Sequence, residues 1–256
     1  MLSRTRRPSV GLTLALAFVA ILLLGSGVAD GKVRAQVSGE LLVVTGGKKS
    51  DRVAVACDGQ GLVKVNGKDP RTGAIPCSRV SEVDALTGGG NDRVDMSGVG
   101  PDTGFGQRQV PGGFGLGTGA AGDLGDGNDR YIGAASAFNL VLGGPGDDDL
   151  TGGALRDSLQ GGAGSDRASG GGGRDILIGN AGNDKLNGGV DDDLLSGNAG
   201  DDLLTGGSGA DLLGGGGGMD RLFGGPGPDE LIGGAGRDRL NGGPGNNTVA
   251  QDSPKK

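Results

Sequence analysis

Histidine and tryptophan are absent from this chain, and tyrosine and phenylalanine together number six in 256 residues. The missing imidazole removes Ser-His-Asp and Cys-His catalysis, HExxH zinc proteases and every His-ligated metal centre. So few aromatics argue against a large conventional core. Two cysteines, Cys57 and Cys77, are too few for a disulfide-dense fold or a thiolate zinc cage. Glycine is what the chain has in excess: 62 Gly and 10 Pro, more than twice their ordinary combined share of about 12%. Without a period that composition means disorder, and with one it means a repeat architecture.

The net charge of -7 conceals a partition. Residues 1–29 carry Arg4, Arg6 and Arg7 and no acid, and residues 30–142 are nearly balanced. Residues 143–250 hold 17 acidic and 7 basic side chains. A partner for that block is expected to be cationic, and nucleic acid is excluded as its natural ligand. The first residues read as a secretory signal peptide: a basic start, an uncharged apolar run of 13 from Leu12 to Leu24, and small residues at Gly27-Val28-Ala29. Asp30 is the expected mature start, with cleavage after Ala35 as a second option. The apolar run falls short of the roughly 20 residues a membrane span needs, so no span is expected in the mature form. Export would place Cys57 and Cys77 in an oxidising compartment, where they are expected to pair. Around them lie the apolar runs Leu41-Leu42-Val43-Val44, Val53-Ala54-Val55 and Leu62-Val63-Lys64-Val65, punctuated by Gly and Asn. Residues 30–85 are therefore expected to form a small irregular β region.

From Gly143 to Ala250 the chain divides into twelve consecutive nine-residue units without insertion. GGPGDDDLT, GGGGRDILI and GGAGRDRLN are examples. Position 1 is Gly throughout; position 2 is Gly except at Asn180 and Asn198; position 4 is Gly except at Leu155 and Asp191. Position 6 is Asp except at Asn247, and position 8 is Leu except at Ala168 and Val249. Eroded copies stand upstream at Gly90-Asn91-Asp92 and Gly127-Asn128-Asp129, with Asp51-Arg52-Val53 a fainter one. Residues 86–142 are read as degenerate repeats interrupted by a loop over 101–124, and 251–256 as a tail.

The glycines allow positive φ, which turns backbone carbonyls toward a common centre, and position 6 brings a carboxylate there. A flexible cage of carbonyl and carboxylate oxygens suits Ca²⁺, which takes 6–8 ligands at about 2.3–2.6 Å; Mg²⁺ demands a tighter octahedron. Positions 7–9 suffice for a short strand with position 8 inward. Two units then make an 18-residue coil, and six coils at about 4.8 Å would span roughly 29 Å.

These units resemble the Ca²⁺-binding nonapeptides GGxGxDxUx of the repeats-in-toxin (RTX) family. The resemblance implies an all-β, right-handed parallel β-roll, a β-solenoid with multiple Ca²⁺ ions between stacked turns. It places Asp148, Asp166, Asp184, Asp202, Asp220 and Asp238 along one edge. Asp157, Asp175, Asp193, Asp211, Asp229 and Asn247 would lie along the other. Leu155 and Asp191 both fall on the second edge. Asp191 tolerates a left-handed backbone and Leu155 does not, so the second edge is expected to bind fewer ions. Each unit buries one Leu against nine ordered residues and many like charges, so the metal-free array is expected to be disordered.

Many relatives attach such a roll to an enzyme, but no His is present here. The expected function is a secreted, non-catalytic calcium-binding protein at a cell surface or in an extracellular matrix. The alternative is a polysaccharide-acting accessory module or small carbohydrate-active enzyme using carboxylates such as Glu40, Glu82 and Asp84.

Overall fold

The computed structural model describes residues 33–71, 73–100 and 119–251. The predicted signal peptide and most of the predicted tail and loop lie outside them. Strands dominate; a single 3-10 turn at Cys77–Arg79 is the helical content of the described residues. Among these residues no helix is long and apolar enough to cross a membrane.

Two sheets of eleven and ten strands run the length of a parallel β-solenoid. The chain crosses from one sheet to the other every nine residues in the array. Strands on one side therefore pair at an offset of 18, as in Leu177 opposite Leu195 and Leu186 opposite Leu204. Many array strands span six residues, such as Ile176–Ala181, because the ladder continues through the first glycines of the next unit.

The first coils are capped. Strand β1 (Arg34–Ser38) pairs antiparallel with β2 (Leu41–Thr45), and β3 (Arg52–Cys57) with β4 (Val63–Val65). These two antiparallel partners cover the N-terminal edges of both sheets, which would otherwise present unpaired backbone groups. A disulfide joins Cys57 to Cys77, with 6.1 Å between their Cα atoms, and ties this flap to the 3-10 turn. The parallel stack then proceeds through β5 (Glu82–Leu86), β6 (Arg93–Asp95), β7 (Gly119–Asp123), β8 (Arg130–Ile132) and β9 (Phe138–Pro145). Strand β7 lies within the segment read as loop. Its sequence Gly-Ala-Ala-Gly-Asp has no β-branched residue, and it is held as a strand by pairing with β5 on one side and β9 on the other.

The interior is filled by two rows of side chains, one from each sheet. Position 8 of each unit points inward, and Leu150, Leu159, Leu177, Leu186, Leu195, Leu204, Leu213, Leu222 and Leu231 are fully buried. On the ten-strand sheet the row continues upstream in register as Val53, Val94 and Tyr131. Tyr131, the largest buried side chain, donates its hydroxyl to Asn139 Oδ1 at 3.2 Å. The last coil is less covered, with Val249 50% exposed.

Inward and outward neighbours in one strand should differ in cost. Leu204→Ala, measured by urea unfolding in saturating CaCl₂, is expected to lose about 2–5 kcal/mol. Leu203→Ala, on the outer face, should lose much less. Equal losses would mean that the inward register is wrong.

Candidate metal centre

Each turn is built by the glycines and the Asp that follows them. In the unit beginning at Gly161, Gly162 (φ 132°) and Gly164 (φ 133°) occupy the left-handed region. A Cβ on either would strike the carbonyl oxygen of the equivalent glycine in the preceding coil. Position 1 is excluded from larger residues for another reason. A Cβ at Gly197 would run into the Asp202 carboxylate and lie 2.7 Å from the Gly215 carbonyl oxygen of the next coil. The space left by that missing methyl is thus bounded by a carboxylate oxygen and a backbone carbonyl oxygen, and the same pair recurs at Gly188, Gly206, Gly215 and Gly224.

The carboxylates are threaded into two ladders. On one edge the N–H of Asp148 donates to Asp166 Oδ1 at 2.8 Å, and the pattern repeats through Asp184, Asp202, Asp220 and Asp238. On the other, Asp157 donates to Asp175 Oδ1 at 2.7 Å, then onward through Asp193, Asp211, Asp229 and Asn247. The ladder fixes Oδ1 and turns Oδ2 toward the turn. On the first edge Oδ2 is buried without a hydrogen-bond partner in Asp148, Asp166, Asp184, Asp202, Asp220 and Asp238. On the second edge this holds for Asp175, Asp193, Asp211 and Asp229.

The first ladder also extends upstream. Asp51, Asp92 and Asp129 join it through N–H to Oδ1 bonds, and Asp92 and Asp129 carry the same unpartnered Oδ2. The sequence marked these two as eroded copies. It hid their place in the column because the links span 41, 37 and 19 residues in place of 18 and because Thr87 and Leu124 stand where position 1 would carry Gly.

Leu155 changes its turn. Neither it nor Gly153 has positive φ, whereas Asp191, at the same position of another unit, adopts φ 75°. With the turn so altered, the Gly153 N–H reaches Asp157 Oδ2 at 2.5 Å, and that oxygen is already partnered. In the first coil Gly47 similarly donates to Asp51 Oδ2 at 2.7 Å. The carboxylates Glu40, Glu82 and Asp84 lie outside the Asp ladders, Glu40 in the turn between β1 and β2 and the other two on β5. Glu40 accepts a bond from the Ser81 hydroxyl at 3.1 Å. Asp84 is buried on β5 and pushed up to about 7 by burial and then by the charge of Glu82.

Burial governs the electrostatics of the columns. It raises Asp166 and Asp175 to about 7, and Asp129, Asp148, Asp193 and Asp202 to about 6, with neighbouring carboxylates adding to the effect. Asp184, Asp211 and Asp220 move the same way. A buried anion without a partner is costly, so these oxygens ask for protons or a cation. Among the described residues no three Asp, Glu or Cys side chains converge, so a cation here draws on carbonyl oxygens as well. That donor set is all oxygen, which fits Ca²⁺ and offers nothing to a soft metal.

Unfolded carboxylates titrate near 3.8, whereas Asp148, Asp166 and Asp175 in the folded columns hold protons up to about 6–7. Raising pH through that window therefore removes stability from the metal-free roll. Far-UV circular dichroism in EDTA should show more β-structure at about pH 4.5 than at pH 8, while calcium affinity rises over the same interval because the ligands must be deprotonated. A metal-free roll equally ordered at both values would contradict the assignment of unpartnered, buried carboxylates.

A family model for the RTX calcium-binding nonapeptide repeat, built from four copies, matches residues 142–177, 178–213 and 214–249. No curated protein matches the chain. RTX nonapeptide repeats bind multiple Ca²⁺ ions in their turns, in agreement with the oxygen-lined turns described above. Residues 142–249 are thus an array of RTX calcium-binding nonapeptide repeats folded as a parallel β-roll.

Proposed function

We propose that this chain is a secreted, non-catalytic protein whose roll is assembled by calcium outside the cell, where it serves as a surface or matrix component. The observation that carries the calcium part is the row of buried, partnerless Oδ2 atoms facing glycine carbonyls. In this reading Asp148, Asp166, Asp184, Asp202, Asp220 and Asp238 supply one edge. Asp175, Asp193, Asp211 and Asp229 supply the other, and Asp157 contributes weakly because Gly153 already occupies its free oxygen. Asp92 and Asp129 extend the first edge. When bound, Ca²⁺ supplies the positive charge that these columns lack. The chain's own residues position the oxygens and exclude bulk water from them.

The extracellular part is supported by the basic and apolar start of the sequence and by the paired cysteines. Export would move the acidic chain from a calcium-poor to a calcium-rich compartment, so that it folds only after crossing the membrane. That order of events suits a sequence that cannot stabilise its coils alone.

Equilibrium dialysis against ⁴⁵Ca²⁺ tests the assignment. Leu155→Gly is expected to restore the left-handed turn and raise the bound calcium by about one ion per chain. Asp184→Ala combined with Asp202→Ala should lower both stoichiometry and affinity. Unchanged counts in all of these variants would remove the Asp columns as the calcium ligands.

A further inference from the structure

Position 7 of every unit points away from the core, and its occupants differ between the two sheets. On the eleven-strand sheet it holds Ser158, Ile176, Leu194, Leu212, Glu230 and Thr248, none of them a cation. On the ten-strand sheet it holds Asp149, Arg167, Lys185, Leu203, Arg221 and Arg239 in that order. The row continues upstream in strand register through Arg130, Arg93 and Arg52. All seven cations are exposed.

Strand spacing sets these positions about 4.8 Å apart, and like charges directly opposite each other on a sheet destabilise it. Arg130 is relieved by Asp149 at 3.7 Å. Among the described residues the other six have no ion-pair partner. Seven of the 24 Lys and Arg residues of this acidic protein thus fall in one row along the solenoid axis. Beside its array half, on the same face, position 9 forms a second row of small polar side chains, Thr151, Ser169, Asn187, Thr205 and Asn241, which gives way upstream to Ile132, Asp95 and Ala54. Phe223 interrupts that row, with the Arg221 guanidinium 5.9 Å from its ring centre.

We propose that this face binds an extended, carboxylated polysaccharide lying along the solenoid axis. The cation row meets the carboxylates, the hydroxyl and amide row meets the sugar hydroxyls, and Phe223 offers an apolar ring face. Duplex nucleic acid carries one charge per about 1.7 Å of its axis, too dense for a single row flanked by Asp147 and Asp201 on the neighbouring turns. Single-stranded nucleic acid wants repeated aromatic platforms, and this face has one. The inference rests on the reading of the chain as a calcium-ordered extracellular roll, and names what that roll would hold.

The test uses the full mature chain at fixed free calcium with fluorescently labelled short oligogalacturonides, too short to gel. Unlabelled malto-oligosaccharides and single-stranded DNA of matched charge serve as competitors. Binding should weaken as NaCl rises, and Arg167→Gln with Lys185→Gln and Arg221→Gln should raise Kd by about tenfold or more. Arg156→Gln with Arg174→Gln, cations placed on a turn edge, should leave Kd unchanged. Arg167→Glu alone should weaken binding in the same direction. Wild-type affinity in the triple variant, equal competition by the neutral sugar, or preference for DNA would each overturn the proposal. Calcium stoichiometry of the triple variant is measured separately. A calcium-loaded roll that ignores oligogalacturonide therefore refutes this inference and leaves the calcium reading standing.

Discussion

Every coil of this molecule must place a carboxylate inside a protein wall next to another carboxylate. The ladder of Asp N–H to Asp Oδ1 bonds gives each side chain one partner and, except at Asp51 and Asp157, leaves the second oxygen buried with none. That unresolved charge is the constraint on which the rest depends. Leucine packing cannot remove it, because the columns lie in the turns and the leucines in the strands. The hydrogen bonds between coils do not remove it either, because the Asp N–H groups are spent on Oδ1. The fold is complete in shape and incomplete in charge, and a divalent cation held by oxygen ligands completes it.

The same constraint explains how glycine is distributed. Stacking identical coils brings each turn carbonyl against the Cα of the next turn, so a Cβ on the glycines at positions 2 and 4 would meet backbone. At position 1 the intruder would be the Asp carboxylate itself. Leu155 is informative because it breaks the rule at one place and the chemistry changes with it: the turn loses its positive φ, and a backbone N–H takes the oxygen left free elsewhere. Glycine here leaves that oxygen free by keeping the backbone's own donors away from it.

Much of this was legible in the sequence, and the reasons are local. Twelve units without a gap reveal coil length and the inward Leu, since both depend on spacing, and the resemblance to the RTX nonapeptides implies the alternating Asp edges. The upstream coils were harder, because insertions between Asp51, Asp92 and Asp129 break the frame while the backbone still stacks. Strand β7 carries no strand signal of its own and exists through its neighbours on both sides. The antiparallel strands β1 and β4, which cover the open end, could not be told from any other short apolar run. The cation row escaped notice because it repeats every second unit, a period visible only once alternate units are known to lie on different sheets.

The most direct measurement is a far-UV circular dichroism titration of residues 30–256 with CaCl₂, with MgCl₂ as the control, at neutral pH. The account predicts a largely coil spectrum without metal that converts to β with Ca²⁺ and hardly responds to Mg²⁺. A spectrum already β in EDTA, or an equal response to both cations, would contradict the claim that calcium neutralisation of the Asp columns is what folds the roll.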